Sequence, residues 1–173
     1  MNRPDQQWRQ TFIAVGSNLG DRIKNCRNAI FRICGRQGIR FKRASSFYET
    51  APVGINSKRW FINGVFEVES ILAPLELIEV LLEIEAEMGR DRSLGPDRII
   101  DLDLLNMKGV TRRPDESSNL ELPHPRFPQR AFVLMPWSEI APGCVAEGYK
   151  QTIRQLLNRL DVDGGMIRKV EDF

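Results

Sequence analysis

The segment Ile99-Ile100-Asp101-Leu102-Asp103-Leu104-Leu105 limits the fold more than any other stretch of this 173-residue chain. As a strand it sends Ile100, Leu102 and Leu104 to one face and Asp101 and Asp103 to the other, because successive side chains alternate across the pleat. It therefore calls for a sheet with a core on one side and, at this strand, two carboxylates on the other. Phe61 to Glu69 alternates in the same way, with Phe61, Asn63 and Val65 opposed to Ile62, Gly64 and Phe66.

The other elements are expected around these two strands. Thr11 to Val15 is a short apolar strand that breaks at Gly16-Ser17-Asn18. Asp21 then caps a helix carrying Ile23, Cys26, Ile30 and Ile33, which stops at Gly35 or Gly38. Ile39 to Thr50 is extended, and Ala51 to Arg59 is a turn-rich loop. A helix starts at Pro74, with Leu75, Ile78, Leu81, Leu82, Ile84 and Met88 on its core face, and ends at Gly89. The loop Arg90 to Arg98 leads into the strand Ile99 to Met107, and a long irregular stretch runs to Pro128. Further helices are expected at Ala131 to Ile140, bent or interrupted near Pro136, and at Thr152 to Leu160. The order strand, helix, two strands, helix, strand implies an α+β sandwich of ferredoxin-like type, with an antiparallel-rich central sheet and helices on both faces. The length suits a single domain over 1–173, with the polar residues 1–10 expected as a poorly ordered extension.

Several classes drop out on composition. Twenty-five basic against twenty-three acidic residues give a formal charge of +2, too balanced to imply nucleic acid or an anionic membrane as the obligatory partner. The first ten residues lack the apolar run of a signal peptide, and no segment approaches a membrane span, so the cytoplasm is the expected location. Cys26, Cys34 and Cys144 are odd in number and lack CxxC spacing, which suggests neither a disulfide framework nor a zinc site. No protein partner is implied.

Asp101 and Asp103 repel each other on one strand face, and one or two divalent cations would neutralise them with the oxygen ligands that magnesium prefers. An isolated DxD is more often the polar edge of an amphipathic strand. What lifts this pair is the loop before it, where Arg90, Arg92 and Arg98 fall within nine residues. Guanidinium forks match phosphate oxygens, so arginines beside a carboxylate pair point to Mg-ATP. There is no GxxxxGK[ST] and no GxGxxG, which excludes a P-loop enzyme. His124 lies in Leu122-Pro123-His124-Pro125-Arg126, shortly before Arg130; a structural hydrogen-bonding role and a phosphate-binding role stand level for it. Phe61 and Phe132 could clamp a flat ring whose edge Asn63 reads, or could simply be core. Glu85, on the apolar side of its helix, could face a site or flank the core.

Taken in order along the chain, Ala14-Val15-Gly16-Ser17-Asn18-Leu19-Gly20, Ser46-Phe47-Tyr48-Glu49-Thr50-Ala51-Pro52-Val53-Gly54, Phe61-Ile62-Asn63, Ile84-Glu85, Gly89-Arg90, Arg98-Ile99-Ile100-Asp101-Leu102-Asp103-Leu104-Leu105, Leu122-Pro123-His124-Pro125-Arg126 and Arg130-Ala131-Phe132-Val133-Leu134 resemble the 6-hydroxymethyl-7,8-dihydropterin pyrophosphokinase family of the folate pathway. The likeness runs from about Phe12 to Pro142. It implies attack of a substrate hydroxymethyl oxygen on the β-phosphorus of ATP, with release of AMP. It also implies two magnesium ions on Asp101 and Asp103, and catalytic arginines at Arg90, Arg92 and Arg98. ATP would be contacted by Glu85, Arg90, Arg92, Arg98, His124 and Arg130, and the pterin by Thr50, Val53, Phe61, Asn63 and Phe132. The family's α+β sandwich agrees with the fold read from the elements.

The chain departs from the family pattern at Gly95-Pro96-Asp97-Arg98, where Asp97 stands between the proline and the arginine. Two rival readings fit the chain less well. A polymerase-β-type nucleotidyltransferase pairs a Gly-Ser turn with a DxD inside a short segment, whereas Ser17 and Asp101 are 84 positions apart. A ferredoxin-like RNA-binding module wants stacking aromatics interleaved with basic residues on its central strands, and no such motif is present.

Overall fold

The computed structural model describes residues 7–54, 56–91, 93, 95–162 and 167–173. In chain order they form β1 (Arg9–Ser17), α1 (Arg22–Cys34), β2 (Ile39–Ala44), β3 (Phe47–Thr50), β4 (Phe61–Ser70), α2 (Pro74–Glu87), β5 (Asp101–Met107), a 3-10 turn (Phe127–Gln129), α3 (Ala131–Ile140), α4 (Ile153–Leu157) and β6 (Ile167–Glu171). The sheet runs β5-β1-β4-β3-β6, with β2 also paired to β4, and every pairing is antiparallel.

Side-chain alternation on β1, β4 and β5 decides which helix covers which face. Ile13 and Val15 of β1, Ile62, Phe66 and Val68 of β4, and Leu102 and Leu104 of β5 pack with Cys26, Ile30 and Ile33 of α1 and Leu77, Leu81 and Ile84 of α2. Phe12, Val65 and Leu105 point the other way, into a second core with Val133, Leu134 and Trp137 of α3 and Ile153 and Leu156 of α4. Phe12 and Phe127 lie 5.0 and 5.2 Å, ring to ring, from Trp137, which fixes α3 on the sheet. Only one end of this second face is covered by α3. Past its first turn the sheet carries Asp101, Asp103, Gly16 and Asn63 in place of apolar side chains.

The helix ends follow local chemistry. Asp21 accepts the Lys24 N–H at the start of α1, Gly35 caps its end, and the Glu76 carboxylate accepts the Ala73 N–H at the start of α2. Gly89, at φ 86°, takes the left-handed conformation that lets the chain leave α2 toward β5.

Three expectations need correction, and one strand is new. β1 begins at Arg9, paired with Ser70, so the stretch read as an extension is already sheet at its last two residues, while residues 1–6 lie outside those described. The single extended segment Ile39 to Thr50 is two strands. Between them the Ser45 hydroxyl takes the Val65 N–H, and the Ser46 N–H turns away to the Glu139 carboxylate. α4 is five residues long, cut short at both ends of the stretch expected to be helical. Ile167–Glu171, assigned to no element from the sequence, adds β6 on the outer edge of β3.

Candidate active site

Asp101 opens β5, and Asp103 follows on the same face, their side chains 26% and 36% exposed. Their partners on β1 are the smallest the chain offers, Gly16 opposite Asp101 and Ala14 opposite Asp103, so open space stands above the carboxylates. On its other side Gly16 pairs with Asn63 of β4. A Cβ at position 16 would lie 2.7 Å from Asn63 Oδ1, so this glycine makes room for the amide. Asn63 Nδ2 donates to Thr50 Oγ1 at 2.7 Å, which fixes which way the amide faces. The resulting cleft, of about 340 Å³, is lined by Ala14, Gly16, Thr50, Val53, Phe61, Asn63, Arg98, Asp101, Asp103, Arg126, Arg130 and Phe132, among others.

Arginines supply the counter-charge. Arg90 Nη1 donates to Asp101 Oδ1 at 2.5 Å and also to Glu85 Oε1, while Arg98 reaches Asp101 at 3.4 Å and Arg130 reaches Asp103 at 3.4 Å. Glu85 is buried beneath this pair. It accepts the Leu102 N–H at 2.7 Å, a backbone donor on the outer strand of the sheet, and burial pushes its carboxyl above the ordinary range against the pull of that bond and of Arg90. His124 is depressed, first by burial and then by Arg130 and Arg126, with Asp103 opposing. Its Nδ1 accepts the Arg126 N–H at 3.1 Å, so the neutral ring carries its proton on Nε2 and can donate there.

The two halves of the cleft meet at the aromatic rings. The Arg98 guanidinium stands 5.4 Å from the Phe61 ring centre and that of Arg130 stands 5.5 Å from Phe132, both within cation–π reach. Arg98 Nε is buried and finds no hydrogen-bond partner among the described residues, an unsatisfied donor beside the carboxylates.

Thr50, Val53, Phe61, Asn63, Arg98, Asp101, Asp103, Arg130 and Phe132 of the expected site thus line one cleft. Arg90 joins it through Asp101, and His124 through its field at Asp103; Glu85 sits underneath, as a support for Arg90. Arg92 lies outside the described residues. The donor set fits magnesium: two hard carboxylates on one strand, no cluster of three or more ligating side chains among the described residues, and hence coordination positions left for phosphate oxygens and water. The gap of 84 residues that counted against a nucleotidyltransferase closes in the fold, since Gly16 is the register partner of Asp101.

The profile of the 7,8-dihydro-6-hydroxymethylpterin-pyrophosphokinase (HPPK) family matches residues 12–142. The chain belongs to this family. It is 39% identical over 164 residues to the 2-amino-4-hydroxy-6-hydroxymethyldihydropteridine pyrophosphokinase of Methylorubrum extorquens, covering 94% of this chain and 99% of that one. To the enzyme of that name from Bacillus subtilis it is 40% identical over 131 residues, 75% of this chain and 76% of that one. The same stretch occurs inside longer proteins: the Arabidopsis thaliana "Folate synthesis bifunctional protein, mitochondrial" is 40% identical over 79% of this chain, which spans 24% of it. A Plasmodium falciparum HPPK-DHPS crystal structure superposes with a TM-score of 0.73 over 91% of this chain and 45% of that one, at 16% identity, a likeness of fold alone.

Sequence reading missed the part played by Gly16, which lines this HPPK cleft, and by Asn18 and Asp97, which hold the backbone next to it. The space Gly16 leaves for Asn63 exists only once β1 and β4 are in register. Asn18 and Asp97 are joined side chain to side chain at 2.7 Å, and no local spacing announces a contact across 79 positions. Their sequence signal is indirect: Asn18 belongs to the motif Ala14-Val15-Gly16-Ser17-Asn18-Leu19-Gly20, and Asp97 is the residue that departs from the family pattern.

Proposed function

We propose that this HPPK-family chain transfers the β,γ-diphosphate of ATP to the hydroxymethyl oxygen of 6-hydroxymethyl-7,8-dihydropterin. The hydroxyl oxygen attacks the β-phosphorus, the bond from that phosphorus to the α,β-bridging oxygen breaks, AMP leaves, and the hydroxyl proton is released. The observation that carries this reading is the continuity of two unlike half-sites on one sheet face. A carboxylate pair ringed by Arg90, Arg98 and Arg130 shares one cleft with Phe61, Phe132 and Asn63, two aromatic side chains and an amide suited to a flat heteroaromatic ring.

In the carboxylate half, Asp101 and Asp103 are the proposed ligands of two magnesium ions, which when bound would neutralise the triphosphate and polarise the β-phosphorus. The arginines that now pair with these carboxylates are free to exchange them for phosphate oxygens, and the unsatisfied Arg98 Nε gains a partner in doing so. Arg92 and His124 complete the proposed phosphate contacts, while Glu85 acts through Arg90. In the other half, Asn63 and Thr50 read the pterin edge and the backbone near Val53 closes one side. Catalysis here is placement and charge stabilisation, as expected for phosphoryl-group transfer. No helix among the described residues is long and apolar enough to cross a membrane, and the cytoplasm is the proposed place of work.

The test is to mix the protein with Mg-ATP and 6-hydroxymethyl-7,8-dihydropterin and separate the nucleotides. Stoichiometric AMP and pterin diphosphate are expected. ADP or free pyrophosphate as the leaving product would overturn the reading.

A further inference from the structure

Among the described residues, the loop between β3 and β4 makes no ladder pairing of its own, yet both its ends line the cleft, Thr50 at one and Phe61 at the other. The Asp97 carboxylate fastens this loop at Ser57 and Arg59, and Arg22 Nη1 donates to the Trp60 carbonyl at 2.7 Å where the loop meets β4. Asp97 Oδ1 accepts from the Ser57 hydroxyl at 2.6 Å and from Asn18 Nδ2 at 2.7 Å, and Asp97 Oδ2 faces Arg59 Nε at 3.5 Å. Asn18 is fully committed in turn. Its Oδ1 accepts the Arg98 N–H at 2.7 Å, and its own N–H donates to the Arg98 carbonyl at 3.1 Å. The backbone of Arg98 is therefore gripped from both sides by a residue that Asp97 holds, and its guanidinium stands between Asp101 and the Phe61 ring.

We propose that Asp97 is a positioning residue that clasps the acceptor loop to the backbone of Arg98, and so sets where the aromatic half of the site meets the phosphate half. This rests on the functional reading above, which assigns Phe61 and Thr50 to the acceptor and Arg98 to the donor. The two arms of the clasp do different work. The Ser57 arm orders the acceptor loop, whereas the Asn18 arm seats Arg98. Neither Asp97 nor Ser57 touches the reacting atoms in this scheme.

The test is steady-state kinetics on Ser57→Ala, Asp97→Ala, the double variant and Ser57→Thr, with thermal melts on each. Ser57→Ala is expected to raise the pterin KM about tenfold, the size of one charge-assisted hydrogen bond at a partly exposed site, with kcat and the ATP KM unchanged. Asp97→Ala is expected to raise the pterin KM at least as much and to lower kcat roughly tenfold as well, because Arg98 loses its seat. The double variant should match Asp97→Ala alone, since Ser57 then has no partner left to lose, and Ser57→Thr, which keeps the hydroxyl, should stay close to wild type. The clasp is overturned if Asp97→Ala lowers the melting temperature but leaves both KM values and kcat within twofold, or if the two single effects multiply in the double variant. A wild-type protein with no pterin turnover would instead sink the functional reading, so the two failures are distinct.

Discussion

Gly16 has no room for a side chain, and the reason is functional as much as structural. The atom in its way is Asn63 Oδ1, 2.7 Å from where a Cβ would stand, and the Asn63 amide is tied to Thr50 at 2.7 Å. Gly16→Ala must push that amide off its bond. The expected outcome is a pterin KM raised about tenfold, near the 1–2 kcal/mol of one displaced buried hydrogen bond, with the ATP KM little changed. An unaltered pterin KM would remove Asn63 from acceptor recognition. The aspartates make the complementary case. Asp101→Asn and Asp103→Asn keep the size of the side chain and remove the charge, and each should lower kcat by about a hundredfold or more, since metal-assisted charge neutralisation contributes several kcal/mol. Circular dichroism should be unchanged. Turnover near wild type in either variant would move the metal away from that residue.

At the scale of elements, β5 is an outer strand of the sheet whose exposed edge α2 closes through one buried carboxylate. Glu85 satisfies the Leu102 N–H and shares Arg90 with Asp101, so its loss strands a buried donor and leaves the Arg90 guanidinium with Asp101 alone. Glu85→Ala should cost about 3 kcal/mol of unfolding free energy, whereas Glu85→Gln, which can still accept from Leu102, should cost about 1 kcal/mol. Denaturant melts with a constant slope would measure both, and equal losses would show that the Leu102 bond contributes nothing. Much at this scale was legible beforehand. The alternation in Phe61 to Glu69 and in Ile99 to Leu105 assigned each side chain to the correct face, because pleat geometry is local. The break at Ser45-Ser46 was not legible, since it depends on Val65 and Glu139 from distant segments. Nor was β6, whose residues Ile167 to Glu171 carry little apolar periodicity because the strand is stapled by charge. The carboxylates, arginines and aromatics of the cleft could be named from the sequence, but the bonds that tie Asp97 to Ser57 and to Asn18, across 40 and 79 positions, could not.

For the molecule as a whole, the chain is closed where its early and late segments meet. Glu49 on β3 accepts from Arg168 Nε of β6 at 2.9 Å and from Arg22 of α1 at 2.8 Å, and Phe173 stacks 5.6 Å from Phe41. The Arg168 hydrogen bond, with burial opposing it and Arg22 assisting, holds the Glu49 carboxyl below its ordinary value near 4.5. A depressed acid binds its proton less readily in the folded state than in the unfolded one. Its stabilisation is therefore complete above the ordinary value and is lost as pH falls through the lower folded one. Arg168 is 72% exposed, which screens the pair and limits the effect. Glu49→Gln is accordingly expected to lower stability at pH 7 by about 1 kcal/mol, and the gap to wild type should narrow steadily below pH 4.5. Urea midpoints for both proteins at neutral and acid pH would measure it. A gap that stayed constant or widened toward low pH would mean that Glu49 holds α1 and β6 to β3 through the shape of its hydrogen bonds and not through its charge.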